Sequence, residues 1–302
     1  MLKLQGIIPP MITPLTDQDR LDLASLESLL EYMIDGGIHG VFLLGTTGEA
    51  PSLTHELRKQ LIDAATKIIA GRIPVLVGIS DTSFTETIQL AKTAEKYPVD
   101  AFVLTHPYYF PSYGPQFRQY VDHVLDAVSL PVILYNMPEN TKVKFDLDLV
   151  RYALDRDGII GMKDSSGDLD FFWRSCELAA ASGKEFPILM GPEHLLGTSI
   201  RLGGSGGVSG GANLWPSLFV RMFEAAKGND LAKMRDLQKK IDLLGKIYRV
   251  AENGGRVFRG LKCALKYRAL CSGITAQPFT EPDPAEQKRI FQIVDELNPV
   301  KL

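Results

Sequence analysis

Eight short apolar runs, separated by stretches with apolar residues at helical spacing, constrain this 302-residue chain more than any other feature. The runs fall at 6–8, 40–44, 74–78, 101–105, 131–135, 158–163, 187–190 and 206–209. They are apolar along their length rather than alternating, which is the pattern of strands buried on both faces of a parallel sheet. Helices are expected between them at 22–34, 54–65, 85–96, 116–128, 147–155, 171–181 and 194–202, the first two starting at Asp22 and Thr54 and the first closed by Gly36-Gly37. Eight such units imply an α/β architecture closed as a (β/α)8 TIM barrel, with an open doubly wound sheet as the alternative.

Four more helices follow the eighth strand, at 214–226, 231–250, 256–270 and 284–297. Only the first is needed to complete a barrel. The chain therefore divides into a barrel over 1–226 and a C-terminal helical appendage over 227–302, to which packing or assembly is assigned. Arg256, Arg259, Lys262 and Lys266 share one helix face there. That charge run reads as a solvated face, with an anion site as the alternative.

Catalytic groups in such barrels stand at the C-terminal ends of strands. Those ends carry Thr46 and Thr47, Tyr108 and Tyr109, Tyr135, Lys163, Glu193 and Ser209. Lys163 closes the apolar run 158–163, where desolvation disfavours an ammonium and favours the nucleophilic amine that attacks a keto group. With phenols to move protons and hydroxyls to cradle a small anion, the set matches the needs of an imine-forming lyase. Each residue also has a structural reading. Lys163 pairs with Asp164 or water, Thr47 caps a helix, Tyr135 is a lip aromatic, and Tyr108-Tyr109 forms a contact patch. Gly203-Gly204-Ser205-Gly206-Gly207 reads as a flexible turn or as a phosphate loop.

Composition narrows the partners. A formal charge of −3 gives no electrostatic reason for a nucleic-acid or anionic-membrane partner. No apolar run is long enough to span a bilayer, and the residues before the first strand are too few for a secretory leader. Three cysteines form no disulfide framework, so a reducing, cytoplasmic setting is expected. His39, His55, His106, His123 and His194 lack ligand spacing, and no metal is expected.

Three motifs then occur in order after the second, fifth and sixth strands: Gly45-Thr46-Thr47-Gly48-Glu49, Tyr135-Asn136-Met137-Pro138 and Gly161-Met162-Lys163-Asp164. Over essentially its whole length the chain resembles the dihydrodipicolinate synthase / N-acetylneuraminate lyase family of class I pyruvate-handling barrels. The resemblance implies a covalent imine between Lys163 and pyruvate or a 2-oxo acid, with no other cofactor, and Tyr135 as proton shuttle. It implies that Thr46 and Thr47 hold the pyruvyl carboxylate, with Val208 offering its backbone nearby. Thr47 would link Tyr135 to Tyr109, which in the family enters a neighbouring subunit's site, so a homo-oligomer built as a dimer of dimers is expected. Ser165, Gly191, Glu193 and Ser209 match positions that bind the polyol tail in sugar-acid members.

Two departures bear on the substrate. Asn140 stands where synthases carry an arginine, and an amide cannot form that bidentate clamp on a carboxylate; nearby Lys142 is only a point charge. The segment 252–256 replaces a proline-containing loop of typical synthases. The expected reaction is reversible aldol cleavage of a 2-keto-3-deoxy sugar acid to pyruvate and an aldehyde. The alternatives are condensation of pyruvate with aspartate semialdehyde, a related dehydratase or N-acetylneuraminate lyase reaction, and a non-catalytic barrel that binds a small acid.

Overall fold

The computed structural model describes residues 2–250 and 254–297. Glu252 and Asn253, part of the 252–256 departure, lie outside the described residues. The eight strands are β1 (Gly6–Ile7), β2 (Val41–Leu43), β3 (Val75–Gly78), β4 (Ala101–Leu104), β5 (Val132–Asn136), β6 (Ile159–Asp164), β7 (Ile188–Met190) and β8 (Gly206–Gly207). From β2 to β8 each pairs in parallel with the next in the chain, and β8 returns to β1 through Gly6 opposite Gly206. The last seam closes where Pro10 bridges to Phe42. There the Phe42 N–H donates to the Pro9 carbonyl at 2.9 Å and the Met11 N–H donates to the Phe42 carbonyl at 2.9 Å. The sheet is a closed barrel rather than a doubly wound layer.

Helices α1 (Leu23–Asp35), α2 (His55–Ile69), α3 (Phe84–Ala94), α4 (Gly114–Ala127), α5 (Leu147–Leu154), α6 (Leu169–Ala181), α7 (Leu196–Arg201) and α8 (Pro216–Lys227) alternate with the strands. Side chains of Asp22, Thr54, Ser83, Asp146 and Asp168 accept from backbone N–H groups of the first turns of α1, α2, α3, α5 and α6. These caps satisfy donors that a helix leaves unpaired at its start. A hairpin (Leu15–Asp17 with Arg20–Leu21) and a short helix (Pro138–Thr141) were not signalled by the periodicity.

Period-two alternation sorts each strand between two cores. Ile8, Phe42, Leu76, Val103, Ile133, Leu189 and Val208 fill the barrel interior. Leu43, Val77, Leu104, Leu134 and Met162 belong to the outer core, among the helices. Tyr135 and Lys163 follow Leu134 and Met162, so both turn inward, and they are register partners on adjacent strands.

Beyond α8 come α9 (Leu231–Gly245), a separate short helix (Ile247–Val250), α10 (Arg256–Tyr267) and α11 (Pro284–Leu297). The single helix expected over 231–250 is thus broken at Lys246. The solvated reading of the cationic face is also corrected. Lys262 is fully buried against Glu49, Arg259 is buried and donates to the Thr280 carbonyl at 2.7 Å, and only Arg256 and Lys266 are exposed. Phe258, Leu261, Cys263, Ala264 and Leu265 cover so much of α10 that it leaves little surface for a solvated stripe.

The glycine run at 203–207 is neither a loose turn nor an exposed phosphate loop at its end, because Gly206 and Gly207 are β8 itself. A Cβ on Gly206 would lie 1.9 Å from the Gly6 carbonyl oxygen. Gly206→Ala is expected to force β8 from β1 and to lower unfolding stability by about 3 kcal/mol or more, beyond ordinary overpacking. Gly245→Ala, at a helical position with nothing within 4 Å of the added carbon, serves as the control and is expected to hold or raise stability by up to about 1 kcal/mol. Denaturant midpoints for the two variants check this.

Candidate active site

The strand register sets the centre of the site. Lys163 Nζ lies 3.8 Å from the centroid of the Tyr135 ring and 5.1 Å from that of Phe42, and both Lys163 and Tyr135 are buried. Burial pushes the Lys163 ammonium below its ordinary range, partly opposed by Tyr135. Burial alone would raise the Tyr135 phenol, but the Lys163 charge and hydrogen bonding from Ser165 and Thr46 bring it below its ordinary value. The two shifts favour proton exchange between amine and phenol.

The residues next along each strand brace this pair from behind. The Asn136 side-chain N–H donates to Asp164 Oδ1 at 2.6 Å, and Asn136 Oδ1 accepts from the Phe145 N–H at 3.1 Å. Asp164 also accepts from the Ser166 N–H and hydroxyl. Asp164 is therefore engaged away from Lys163, and the ion pair between them offered as the structural reading of Lys163 is not formed. The signal for this brace was a polar residue directly following each inward-facing one.

Thr46 and Thr47 sit on a loop between Leu44 and Glu49, both held in the left-handed region at φ 58°. Such backbone is sparsely populated for residues with a Cβ and persists only where surroundings impose it. Here the Thr13 hydroxyl donates to the Gly48 carbonyl at 2.7 Å, and the Glu49 carboxylate is buried against Lys262 of α10. Glu49 Oε2 also accepts from the Ala276 N–H at 2.9 Å, and Lys262 donates to the Ile274 carbonyl at 2.7 Å. Burial raises the Glu49 carboxyl and lowers the Lys262 ammonium, each opposed by the other.

A cleft of about 710 Å³ opens above Lys163 and is lined by Thr46, Thr47, Tyr135, Ser165, Gly191, Glu193 and Val208. Ser165 Oγ is 3.4 Å from the Tyr135 hydroxyl, and a Cβ on Gly191 would collide with Ser165 Oγ at 2.0 Å. The Val208 N–H donates to the Met190 carbonyl at 2.8 Å, so that N–H is already engaged within the barrel. Glu193 Oε1 accepts from the Gly211 N–H at 2.5 Å, and the Tyr248 hydroxyl lies 3.0 and 3.1 Å from its two oxygens. Burial pushes the Glu193 carboxyl up to about 7, opposed by those bonds.

Three expected residues stand apart. Ser209 is fully buried, its hydroxyl has no partner among the described residues, and it does not line the cleft. Asn140 lines an adjoining cleft of about 350 Å³ that shares Thr46, Tyr135, Met137 and Glu139 with the first; Lys142, in the same cleft, is tied to the Glu139 carbonyl. Tyr109 is 76% exposed beside the 80% exposed Phe110, and the chain by itself does not bring it to Thr47. Tyr248 and Arg249 were missed as cleft residues because 227–302 was assigned to packing or assembly, and Arg256 and Lys262 were read first as part of a solvated face, with an anion site as the alternative.

The chain matches the model of the dihydrodipicolinate synthetase family over residues 3–297. It is 32% identical, over 93% of its length and 92% of the relative's, to the Escherichia coli K12 protein described as probable 2-dehydro-3-deoxy-D-pentonate aldolase YjhH. It is 34% identical to a Dechloromonas aromatica 4-hydroxy-tetrahydrodipicolinate synthase, over 78% of the chain and 80% of the relative. Among solved structures, a dihydrodipicolinate synthase from Bacteroides thetaiotaomicron superposes with a TM-score of 0.94 at 41% identity, covering 98% of this chain and 100% of that one. YagE from Escherichia coli K12, described as a prophage protein of the dihydrodipicolinic acid synthase family in complex with pyruvate, superposes at 0.92 with 28% identity, covering 97% and 98%. The chain belongs to this family of class I, Schiff-base-forming lyases and aldolases.

Two outcomes test the site. Borohydride added with pyruvate is expected to fix one pyruvyl adduct, and Lys163→Ala to abolish it in mass spectra. The initial trapping rate of the wild type should climb with pH as the depressed ammonium of Lys163 gives up its proton, because only the amine attacks. Separately, Lys262→Met leaves the Glu49 carboxylate buried without its cation, which is expected to cost about 3–5 kcal/mol in denaturant unfolding. The double variant Lys262→Met with Glu49→Gln should recover part of that loss.

Proposed function

We propose that this family member cleaves a 2-keto-3-deoxy sugar acid reversibly to pyruvate and an aldehyde through an imine on Lys163. The observation that carries this reading is the buried Lys163–Tyr135 pair in a cleft that Ser165 and Glu193 also line, with Asn140, in the adjoining cleft, where a carboxylate-gripping arginine would stand. The names of the aldolase and of the pyruvate-bound relative support it.

The steps use this chain's own groups. Lys163 Nζ attacks the C2 keto carbon, and loss of water leaves a protonated imine. Tyr135, as phenolate, takes the proton of the C4 hydroxyl while the C3–C4 bond breaks. The bonding pair moves toward the imine nitrogen to give an enamine, and the aldehyde departs. Protonation of C3 by Tyr135 and hydrolysis of the imine release pyruvate and restore the amine. Thr46 and Thr47 hold the carboxylate with hydroxyls, and the imine itself is the electron sink, so no further cofactor is invoked.

Condensation with aspartate semialdehyde is the second reading, supported by the synthase names among the relatives. We take 1–226 as the catalytic barrel, entered by side chains of 227–302. Three unpaired, buried cysteines accord with a reducing cytoplasm. The exposed Tyr109, Phe110 and Tyr113 accord with a dimer in which Tyr109 completes a partner's site, within a tetramer. Lactate dehydrogenase coupled to a panel of 2-keto-3-deoxy sugar acids should report pyruvate release from at least one. Turnover with pyruvate plus aspartate semialdehyde alone would restore the synthase reading. Tyr135→Phe should reduce kcat by about 10²–10⁴-fold, as loss of an acid–base group does.

A further inference from the structure

The parallel ladder runs one residue past the end of β6. The Ser165 N–H donates to the Asn136 carbonyl at 2.8 Å, and the Gly191 N–H donates to the Asp164 carbonyl at 2.7 Å. The ends of β5, β6 and β7 are thereby tied together around Ser165. From that fixed backbone its hydroxyl points to Tyr135, with Oγ donating to the phenol oxygen across 3.4 Å. The space it takes is the space a side chain on Gly191 would fill. A Cβ there would stand 2.0 Å from Ser165 Oγ and 2.9 Å from Ser165 Cβ. An interior packed this closely absorbs such an overlap only by moving a side chain. Any residue but glycine at 191 would turn the Ser165 hydroxyl away from the phenol.

We propose that Ser165, kept in place by the bare Cα of Gly191, is a positioning residue for the proton shuttle: its hydroxyl donates to Tyr135 and stabilises the phenolate that takes and returns the C3 proton. The inference rests on the Lys163 imine and on Tyr135 as shuttle. It holds equally for cleavage and condensation, since both pass through the enamine. It also acts on pyruvate itself, which has no tail for Ser165 to bind. A hydrogen bond donated to an anionic oxygen is stronger than a neutral one and favours the ionised form. Burial opposes ionisation of the phenol, and Lys163, Ser165 and Thr46 work against burial. Thr46 turns to the substrate carboxylate in the proposed reaction, so Ser165 is the hydroxyl left to the phenol once substrate is bound. Lys163 is the charged group that bears on the phenol. Glu139, Glu193, Tyr248, Arg249 and Arg256 line the same cleft with no hydrogen bond to it among the described residues.

The test needs no aldehyde. Pyruvate in heavy water exchanges its methyl protons each time imine and enamine interconvert, and proton NMR reads the rate. At saturating pyruvate, Ser165→Ala should slow this exchange about ten-fold or more, the loss of one hydrogen bond to a charged group. Without that donor the phenol is harder to ionise, so the rise of exchange with pH should move about one unit upward. Gly191→Ala displaces the hydroxyl without removing it and should slow exchange likewise. The double variant should be no slower than the slower single one, because both substitutions act through one contact. Borohydride should still fix a pyruvyl adduct on Lys163 in all three, which shows that they fold and form the imine. Exchange at the wild-type rate in Ser165→Ala, slowing with no shift in the pH profile, or losses that multiply in the double variant overturn the proposal. A wild type that traps pyruvate yet exchanges no methyl proton overturns Tyr135 as the shuttle instead, so the two failures are distinguishable.

Discussion

Everything chemical in this molecule depends on keeping one amine out of water. A closed parallel barrel does so because alternation along each strand leaves no face of β6 exposed, and the inward position next to its end is Lys163. The ammonium loses hydration there and receives in exchange an aromatic ring and a phenol. Neither opposes deprotonation as strongly as a carboxylate would. Asp164, the carboxylate nearest in sequence, is drawn outward by Asn136 and Ser166. The brace has two effects: it fixes the ends of β5 and β6, and it denies Lys163 the ion pair that would hold its proton.

The same logic explains why the C-terminal helices are more than a cover. The Thr46-Thr47 loop runs between two left-handed non-glycine residues, a backbone path that disfavours itself. It is held from outside by a buried ion pair to α10. Buried pairs are weak net stabilisers, but losing one partner is severe. Loop geometry is thereby made conditional on the docking of 256–267. Tyr248 extends the dependence to the opposite wall. A barrel severed near residue 226 would retain Lys163 and Tyr135 while losing the supports of both the Thr46-Thr47 loop and the Glu193 carboxyl.

Much of this was legible in the chain. The eight apolar runs announced the strands, and Asp22 and Thr54 announced helix starts, because caps and periodicity are local. Lys163 and Tyr135 were legible as strand-end residues once closure was assumed. What escaped was long-range. Lys262 reads as one of four cations on a helix face until the apolar residues around it show that the helix has little exposed surface to offer. Tyr248 lies 55 residues from Glu193 in sequence, and no periodicity connects them. Ser209 fails in the opposite direction, since it follows a strand end yet its side chain turns into the core instead of the cleft.

Substrate choice follows from how far each wall stands from the amine in kind as well as place. On the proposed reading the pyruvyl end would be held by the Thr46 and Thr47 hydroxyls and an imine on Lys163, groups that do not distinguish one 2-oxo acid from another. Discrimination must therefore arise on the acceptor side. An arginine there would reward a carboxylate with two parallel charged bonds. Asn140 offers no such reward and faces an adjoining cleft. A fixed carboxyl at Glu193, near neutrality in its titration, penalises a second carboxylate and favours a hydroxyl donor. Asn140 withholds the attraction that an arginine would exert there, while Arg249 and Arg256 bring cations to the Lys163 cleft. On the aldol-cleavage reading it is the Glu193 carboxyl, bonded by Gly211 and Tyr248, that favours an uncharged, hydroxylated aldehyde.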